Sequence, residues 1–426
     1  MAKKKLPQKK SESNEGNQSE KKKKEESVAK ILRSFKSNLH SIKFFFNKFG
    51  GIAENEDESA LKSAQEFTKT IMQDLGISID EKEKGETKKN NDKPKITEEK
   101  LLEITRKLKK QPKLTSQNFQ ILSSSSFLML NNYFEYLIAD LLTYHYTKFK
   151  DTLNLKEFKM SLKEVNEYET IEELEKHLIY KEVETMLIEM SFDSLIKHFK
   201  TKFNISSSDE IVNWDIINEC RERRHLIVHN ASIVNKKYLS RTNNPENKKV
   251  GDKLSINKEY FQKVFLEIKL AGLLLSYDCW GSWDGENATK AIQDMLVESF
   301  DSLNENNIDF CYRITSYIQK IEARDEDQED ILLRAKFNMC IALKKQKKTP
   351  ELNKILKTIK VGTSTPFFKL AHAILSDKVD KTILDLLEQS FKLKQVTIET
   401  YSEWPIFEFI RNKKILNTKI EKILNN

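Results

Sequence analysis

Glycine and proline are scarce in this 426-residue chain, at 10 and 7 residues. That scarcity removes whole fold classes, because neither an all-β sandwich nor a glycine-loop nucleotide-binding fold has its raw material. Cysteine is sparse too: Cys220, Cys279, Cys311 and Cys340 lie far apart with no Cys-x-x-Cys pair. This spacing excludes a cysteine-based zinc knuckle and a dense disulfide frame, and it fits a reducing cytoplasm. No apolar run approaches the ~20 residues of a spanning helix, so no membrane segment is expected. The N-terminus starts basic but has no apolar stretch behind it, so it does not read as a signal peptide.

What remains is rich in Lys, Glu, Leu and Ile, which are helix formers, and predicts an all-α fold. The formal net charge is +8, but much of it lies in the first tenth of the chain and argues only weakly for a polyanionic partner. Residues 1–27 hold almost no apolar side chains and are expected to be a disordered basic tail. The Lys3-to-Lys5 and Lys21-to-Lys24 runs there read as a solvated tail ahead of an RNA contact or an import signal. Residues 28–98 are expected to form an N-terminal helical arm and a charged linker. The arm has two amphipathic stretches, Ile31 to Phe46 and Leu61 to Leu75, with Gly50-Gly51 as a break between them. The linker covers 80–98, with Pro94 near its end.

Residues 99–284 are the best-organised region. A long helix is predicted over 118–149, where Phe119, Leu122, Phe127, Leu130, Phe134, Leu137 and Ile138 recur at roughly helical spacing. Asn131, Asn132 and Glu135 interrupt it. One or two helices are expected over 169–202, then a turn and N-cap at Ser206-Ser207-Ser208-Asp209. A helix carrying Ile211, Trp214, Ile216 and Ile217 follows, then a loop at Asn243 to Asn247 and an apolar helix over 256–278. Trp280 to Gly285 reads as a Gly/Trp-rich loop, a packed joint in preference to an aromatic platform for a base. From 285 to 426 the pattern changes to short amphipathic helices: 287–304, 309–322, 326–345, 350–359, 366–376 and 381–393. No strict 34-residue period aligns, but paired helices of this length suggest a tetratricopeptide-like stack, a surface for a protein partner or inhibitor. Ala335, Ala342, Ala371 and Ala373 suit its close contacts, and Trp404 to Ile410 with a final helix would close it.

The densest chemistry sits in Cys220-Arg221-Glu222-Arg223-Arg224-His225-Leu226-Ile227-Val228-His229-Asn230. Such a mixture suits neither an ordinary core helix nor an ordinary surface helix. Four readings compete. A zinc site would use His225 and His229, four apart, but Leu226 stands where the zincin motif needs Glu, and no third ligand can be identified. A structural reading makes Arg221, Arg223 and Arg224 surface cations, with the histidines at a helix boundary. Plain RNA binding explains the arginines and leaves His229 incidental. In the fourth, catalytic reading, Arg224 and His229 lie about 140° apart around an ideal helix, close enough for a long arginine side chain to swing to the imidazole. His229 would serve as general base or acid, and Arg224 would grip a phosphate and stabilise its charge. That chemistry needs a phosphodiester with a neighbouring 2′-hydroxyl, which means RNA, and no metal or other cofactor.

Arg224-His225-Leu226-Ile227-Val228-His229 resembles the Arg-polar-x-x-x-His signature of the HEPN domain superfamily. The surroundings, with Ile233-Val234, Tyr238 and a long first helix containing Phe134-Glu135-Tyr136, look similar as well. The resemblance covers roughly 110–275 and omits both the N-terminal arm and the C-terminal helices. It implies a compact up-and-down bundle that forms a homodimer with two motifs facing across a shared cleft. It also implies a metal-independent endoribonuclease of a toxin–antitoxin or antiviral system, leaving a 2′,3′-cyclic phosphate. Arg224 and His229 carry over as the catalytic pair and His225 as the polar residue that orients or binds substrate. Glu135 matches loosely an acidic or polar first-helix residue near the site. Asn230 suits phosphate binding, and capping or core hydrogen bonding at least as well. Glu222 either orients His229 or pairs with a neighbouring arginine. Some members of the superfamily have lost activity, which keeps a catalytically inactive RNA-binding or scaffolding protein as the alternative.

Overall fold

The stripe Ile31, Leu32, Phe35, Leu39, Ile42 and Phe46 becomes the buried face of a 47-residue helix, α1 (Val28–Asp74). The computed structural model describes residues 27–74, 97–109, 117–154, 157–205, 210–362, 365–411 and 420. Further helices follow in order: α2 (Glu98–Lys109), α3 (Asn118–Lys148), α4 (Asp151–Asn154), α5 (Leu162–Val165), α6 (Ile171–Glu189), α7 (Phe192–Lys202), α8 (Trp214–His229), α9 (Lys236–Arg241) and α10 (Lys258–Trp283). The C-terminal series is α11 (Ala288–Asn304), α12 (Ile308–Ile318), α13 (Glu326–Lys345), α14 (Thr349–Leu356), α15 (Pro366–Leu375), α16 (Asp380–Lys392), α17 (Ile398–Glu403) and α18 (Glu408–Arg411). Among the described residues the one extended pairing is an antiparallel bridge between Ile233 and Lys253. The protein is all-α. No helix among those residues is long and apolar enough to cross a membrane.

Helices α1, α3 and α10 lie against one another, with α6 on α3 and α8 across both α3 and α10. Three expectations change here. The arm is not a separate unit: Val28 to Phe46 share one core with Phe127, Leu141 and Ile268, and Phe46 stacks on Phe261 at 3.9 Å. Gly50-Gly51 does not break α1, because packing and capping on both sides outweigh the ~1 kcal/mol helix cost of each glycine. Beyond the glycines, Asp57 accepts the backbone N–H groups of Asn118 and Phe119, both at 3.0 Å, and so caps α3 from α1. At the other end Asp284 accepts the Val28 N–H at 3.3 Å, together with Tyr144 and Lys148. Finally, Trp280 to Trp283 is no loop but the last turn of α10, with both tryptophans buried in a packed joint.

The C-terminal helices fall within a few residues of their predicted spans; α11 to α14 each pack on the next, and α15 packs on both α13 and α16. Ala335, Ala342, Ala371 and Ala373 are all buried, as close helix contacts require. A boundary at 284–285 is too sharp, however. Ala291, Ile292, Met295, Phe310 and Ile314 belong to the bundle's core, and a second core runs from Leu303 through Phe337, Leu370, Leu387 and Phe407. Lys36 of α1 ties the regions further, pairing with Asp294 at 2.9 Å and with Glu298 at 2.7 Å. Glu298 also takes Lys269 of α10 at 2.8 Å. The basic tail up to residue 26, most of the 80–98 linker, Ser206 to Asp209 and most of the closing helix lie outside the described residues.

Two measurements test this packing. A Cβ on Gly272 would lie 2.3 Å from the buried Phe35 ring and 3.0 Å from Leu137. Gly272→Ala is therefore expected to destabilise by about 1–3 kcal/mol in urea melts, although Gly→Ala inside a helix is ordinarily favourable. The second concerns Asp278, which burial pushes up to about 7 despite a hydrogen bond from Tyr317. The folded chain then keeps a proton that the unfolded chain loses above about pH 4, so stability falls as pH rises from about 4 to 7 and levels off beyond. Asp278→Asn should flatten that slope in melting temperatures taken across this range.

Candidate active site

Helix α8 is fixed at its start by Asn213, whose side chain accepts the Ile216 N–H at 3.3 Å while its own N–H reaches Glu267 at 3.1 Å. Its buried face carries Ile217, Glu219, Cys220, Arg223 and Leu226. The burial of Arg223 departs from the surface-cation expectation. Its guanidinium has 0% exposure and donates to Glu219 at 2.8 Å, to Glu246 at 2.6 Å and to the Ser255 carbonyl at 3.2 Å. The Tyr260 ring lies 3.7 Å from its central carbon. Tyr238 and Tyr260 also donate to Glu219, at 2.6 and 2.5 Å. Burial works against the Arg223 charge, but Tyr260, Glu219 and Glu246 hold it charged well above the ordinary arginine range. Burial and then Glu219 raise the Tyr238 phenol. Cys220, pushed up to about 12 by burial, stays a thiol and donates to Asn131 at 3.2 Å, so it is no nucleophile.

With Arg223 inward, the opposite arc of α8 faces out. At ~100° per residue, Arg224, Val228, Arg221, His225 and His229 follow one another across about 140° of the helix surface. All five line a cleft of about 530 Å³ together with Met190 to Asp193, Asn218, Glu222, Lys237 and Arg241. Arg224 is held from α3: it donates to Glu135 at 2.6 Å and to Asn132 at 3.1 Å. Arg221 shares Glu135 at 3.2 Å and lies over the Phe192 ring at 4.7 Å. The exposed His225 and His229 rings lie 4.8 Å apart. Neither has a hydrogen bond to another described residue. Each imidazole is thus open to a ligand, whereas the arginine beside them is oriented in advance.

Of the residues singled out in the sequence, Arg224, His225 and His229 come to one cleft, and Glu135 reaches it from α3 through Arg224. Asn230 does not line it. Its side-chain amide donates to the Ile233 carbonyl, and its N–H and that of Ser232 both donate to the Leu226 carbonyl, at 2.9 and 3.0 Å. It is a helix cap, ahead of a turn in which Ala231 and Ser232 have φ of +48° and +66°. Glu222 pairs with Arg241 at 3.0 Å and not with an imidazole. Sequence reasoning missed Lys237 and Arg241; their four-residue spacing around the apolar Tyr238-Leu239 was the available signal. Among the described residues no group of three His, Cys, Asp or Glu side chains is arranged to hold a metal ion. No protein-family model matches the chain, and no curated protein or solved structure matches it significantly.

Removing the Arg223 guanidinium would strand Glu219 without its buried cation. Arg223→Ala is expected to cost about 3–5 kcal/mol in chemical denaturation. The half-exposed Arg221, replaced by alanine, should cost no more than about 1 kcal/mol.

Proposed function

We propose that this chain is a metal-independent endoribonuclease of HEPN type. The observation that carries the reading is that Arg224 and His229, the two ends of the Arg-x-x-x-x-His pattern, line one cleft. In the reaction the ribose 2′-oxygen attacks the adjacent phosphorus, the 2′-O–P bond forms and the P–5′-O bond breaks. The products are a 2′,3′-cyclic phosphate and a 5′-hydroxyl, and no metal is required. His229 takes the 2′-hydroxyl proton or protonates the departing 5′-oxygen. Arg224, aligned by Glu135 and Asn132, holds the phosphate oxygens as their charge grows. His225 orients the substrate beside it. The chain acts in the cytoplasm as a homodimer, in a toxin or antiviral role, with the C-terminal helices docking a regulatory protein partner.

One observation favours the alternative, a non-catalytic RNA-binding or scaffolding protein: Glu135 partly neutralises both Arg221 and Arg224. Purified protein incubated with RNA in EDTA separates the two. The ribonuclease reading expects cleavage to cyclic-phosphate ends, lowered at least about 100-fold by His229→Ala and by Arg224→Ala. Full activity in both variants would refute the site. Salt-sensitive RNA binding that survives His229→Ala, with no cleavage by the wild type, selects the alternative.

A further inference from the structure

The cleft contains a cation that the catalytic reading does not use. Four basic side chains line it: Arg221 and Arg224 from α8, and Lys237 and Arg241 from α9. Arg221 and Arg224 are engaged by Glu135, and Arg241 by Glu222. Asp193, the other carboxylate of the lining, accepts from Asn218 at 3.2 Å. Lys237 has no carboxylate partner among the described residues, and it is exposed. Its ammonium is therefore the least compensated charge facing the cavity.

Its position is built, not incidental. Helix α9 is only six residues long, but Asn235 caps it by accepting the Tyr238 N–H at 2.9 Å. Tyr238 is buried with Leu226, Val234 and Leu254 in a small core of their own. Its phenol donates to Glu219, the carboxylate that holds Arg223. The same buried network thus sets α8 and α9 together. With Tyr238 turned inward, Lys237 and Arg241, four residues apart, share the face toward the cleft. A space of about 530 Å³ also exceeds what one phosphate group occupies.

We propose that Lys237, backed by Arg241, is a second phosphate subsite that grips the RNA backbone next to the phosphate held by Arg224. The assignment rests on the RNA reading of the cleft, and it makes the preferred ligand a single-stranded oligonucleotide with at least two consecutive phosphates. Lys237 is then a positioning residue, acting through where it places the chain relative to His229.

The test uses the full chain and a short single-stranded RNA carrying 2′-O-methyl groups, which binds but cannot be cleaved. Fluorescence anisotropy is read between about 50 and 200 mM salt for wild type, Lys237→Gln and Lys237→Arg. Lys237→Gln is expected to weaken binding about three- to tenfold and to lower the salt slope by about 0.7, the value for one single-strand phosphate contact. Lys237→Arg should restore most of both. On cleavable RNA of the same sequence, the Gln variant's loss should fall on KM more than on kcat. Affinity and salt slope equal to wild type in Lys237→Gln would overturn the subsite while leaving the nuclease reading intact. Lys237-dependent binding without any cleavage by the wild type would do the reverse. A wild type that binds no oligonucleotide overturns the subsite as well.

Discussion

A guanidinium shut away from water dictates how the whole motif region lies. Burying the Arg223 charge is tolerable only where its donors are matched, and here three go to Glu219, Glu246 and the Ser255 carbonyl, beneath the Tyr260 ring. Those partners come from α8 itself, from the loop after α9, from the segment leading into α10 and from α10. Rotating α8 by one residue would carry Arg223 and Glu219, one turn apart on the same face, away together from Glu246, the Ser255 carbonyl and the two tyrosines. The arrangement therefore fixes the angular setting of the helix, and with it the arc that presents Arg224, His225 and His229. Buried ion networks contribute little net stability compared with apolar packing, so their value here lies in fixing one orientation.

The same setting depends on a rigid opposite wall. Glu135 and Asn132 can orient Arg224 because α3 is clamped along its length. Asp57 caps its start, Asp284 ties its end through Tyr144 and Lys148, and α1 and α10 cover its apolar face. Gly272 lets α10 approach where a β-carbon would meet Phe35. What read in the sequence as an N-terminal arm is thus a structural member of the bundle, packed on the helix that holds the arginine.

Much of this was legible from periodicity. The spans 118–149 and 326–345 emerged nearly unchanged because their apolar repeats are long; the second also has an Asp325 cap, an acidic first turn and a basic last turn, whereas only the basic last turn marks an end of the first. The failures share one cause. Gly50-Gly51 reads as a break by local propensity, but Phe46 against Phe261 and Asp57 against the start of α3 are contacts between residues far apart in sequence. Trp280-Gly281-Ser282-Trp283 reads as a loop for the same reason, whereas both rings are buried at a helix end. For the site, the Arg224–His229 spacing was visible, and so was the polar interruption of α3 at Asn132 and Glu135. That these two would meet Arg224, roughly ninety residues on, was not. Nor could three nearby arginines be sorted into one buried and two facing a cleft, since the sorting depends on Glu246 and Tyr260.

The division of labour among those arginines follows from counting donors. A guanidinium has five N–H groups in a fixed plane. Arg223 spends its bonds on protein atoms along both edges and is sealed in, so its chemistry is exhausted by structure. Arg224 gives one bond to Glu135 and one to Asn132, which settles the plane and leaves three of its five N–H groups without a hydrogen bond among the described residues. A carboxylate partner of this kind costs the arginine some of its attraction for an anion, but it removes the conformational freedom that a solvent-exposed arginine would lose on binding. The neighbouring imidazoles have the opposite character, since both rings are exposed and neither has a hydrogen bond to another described residue. An oriented cation beside two exposed imidazoles, on a helix whose rotation is locked from behind, is the geometry on which the proposed metal-free phosphodiester transfer rests.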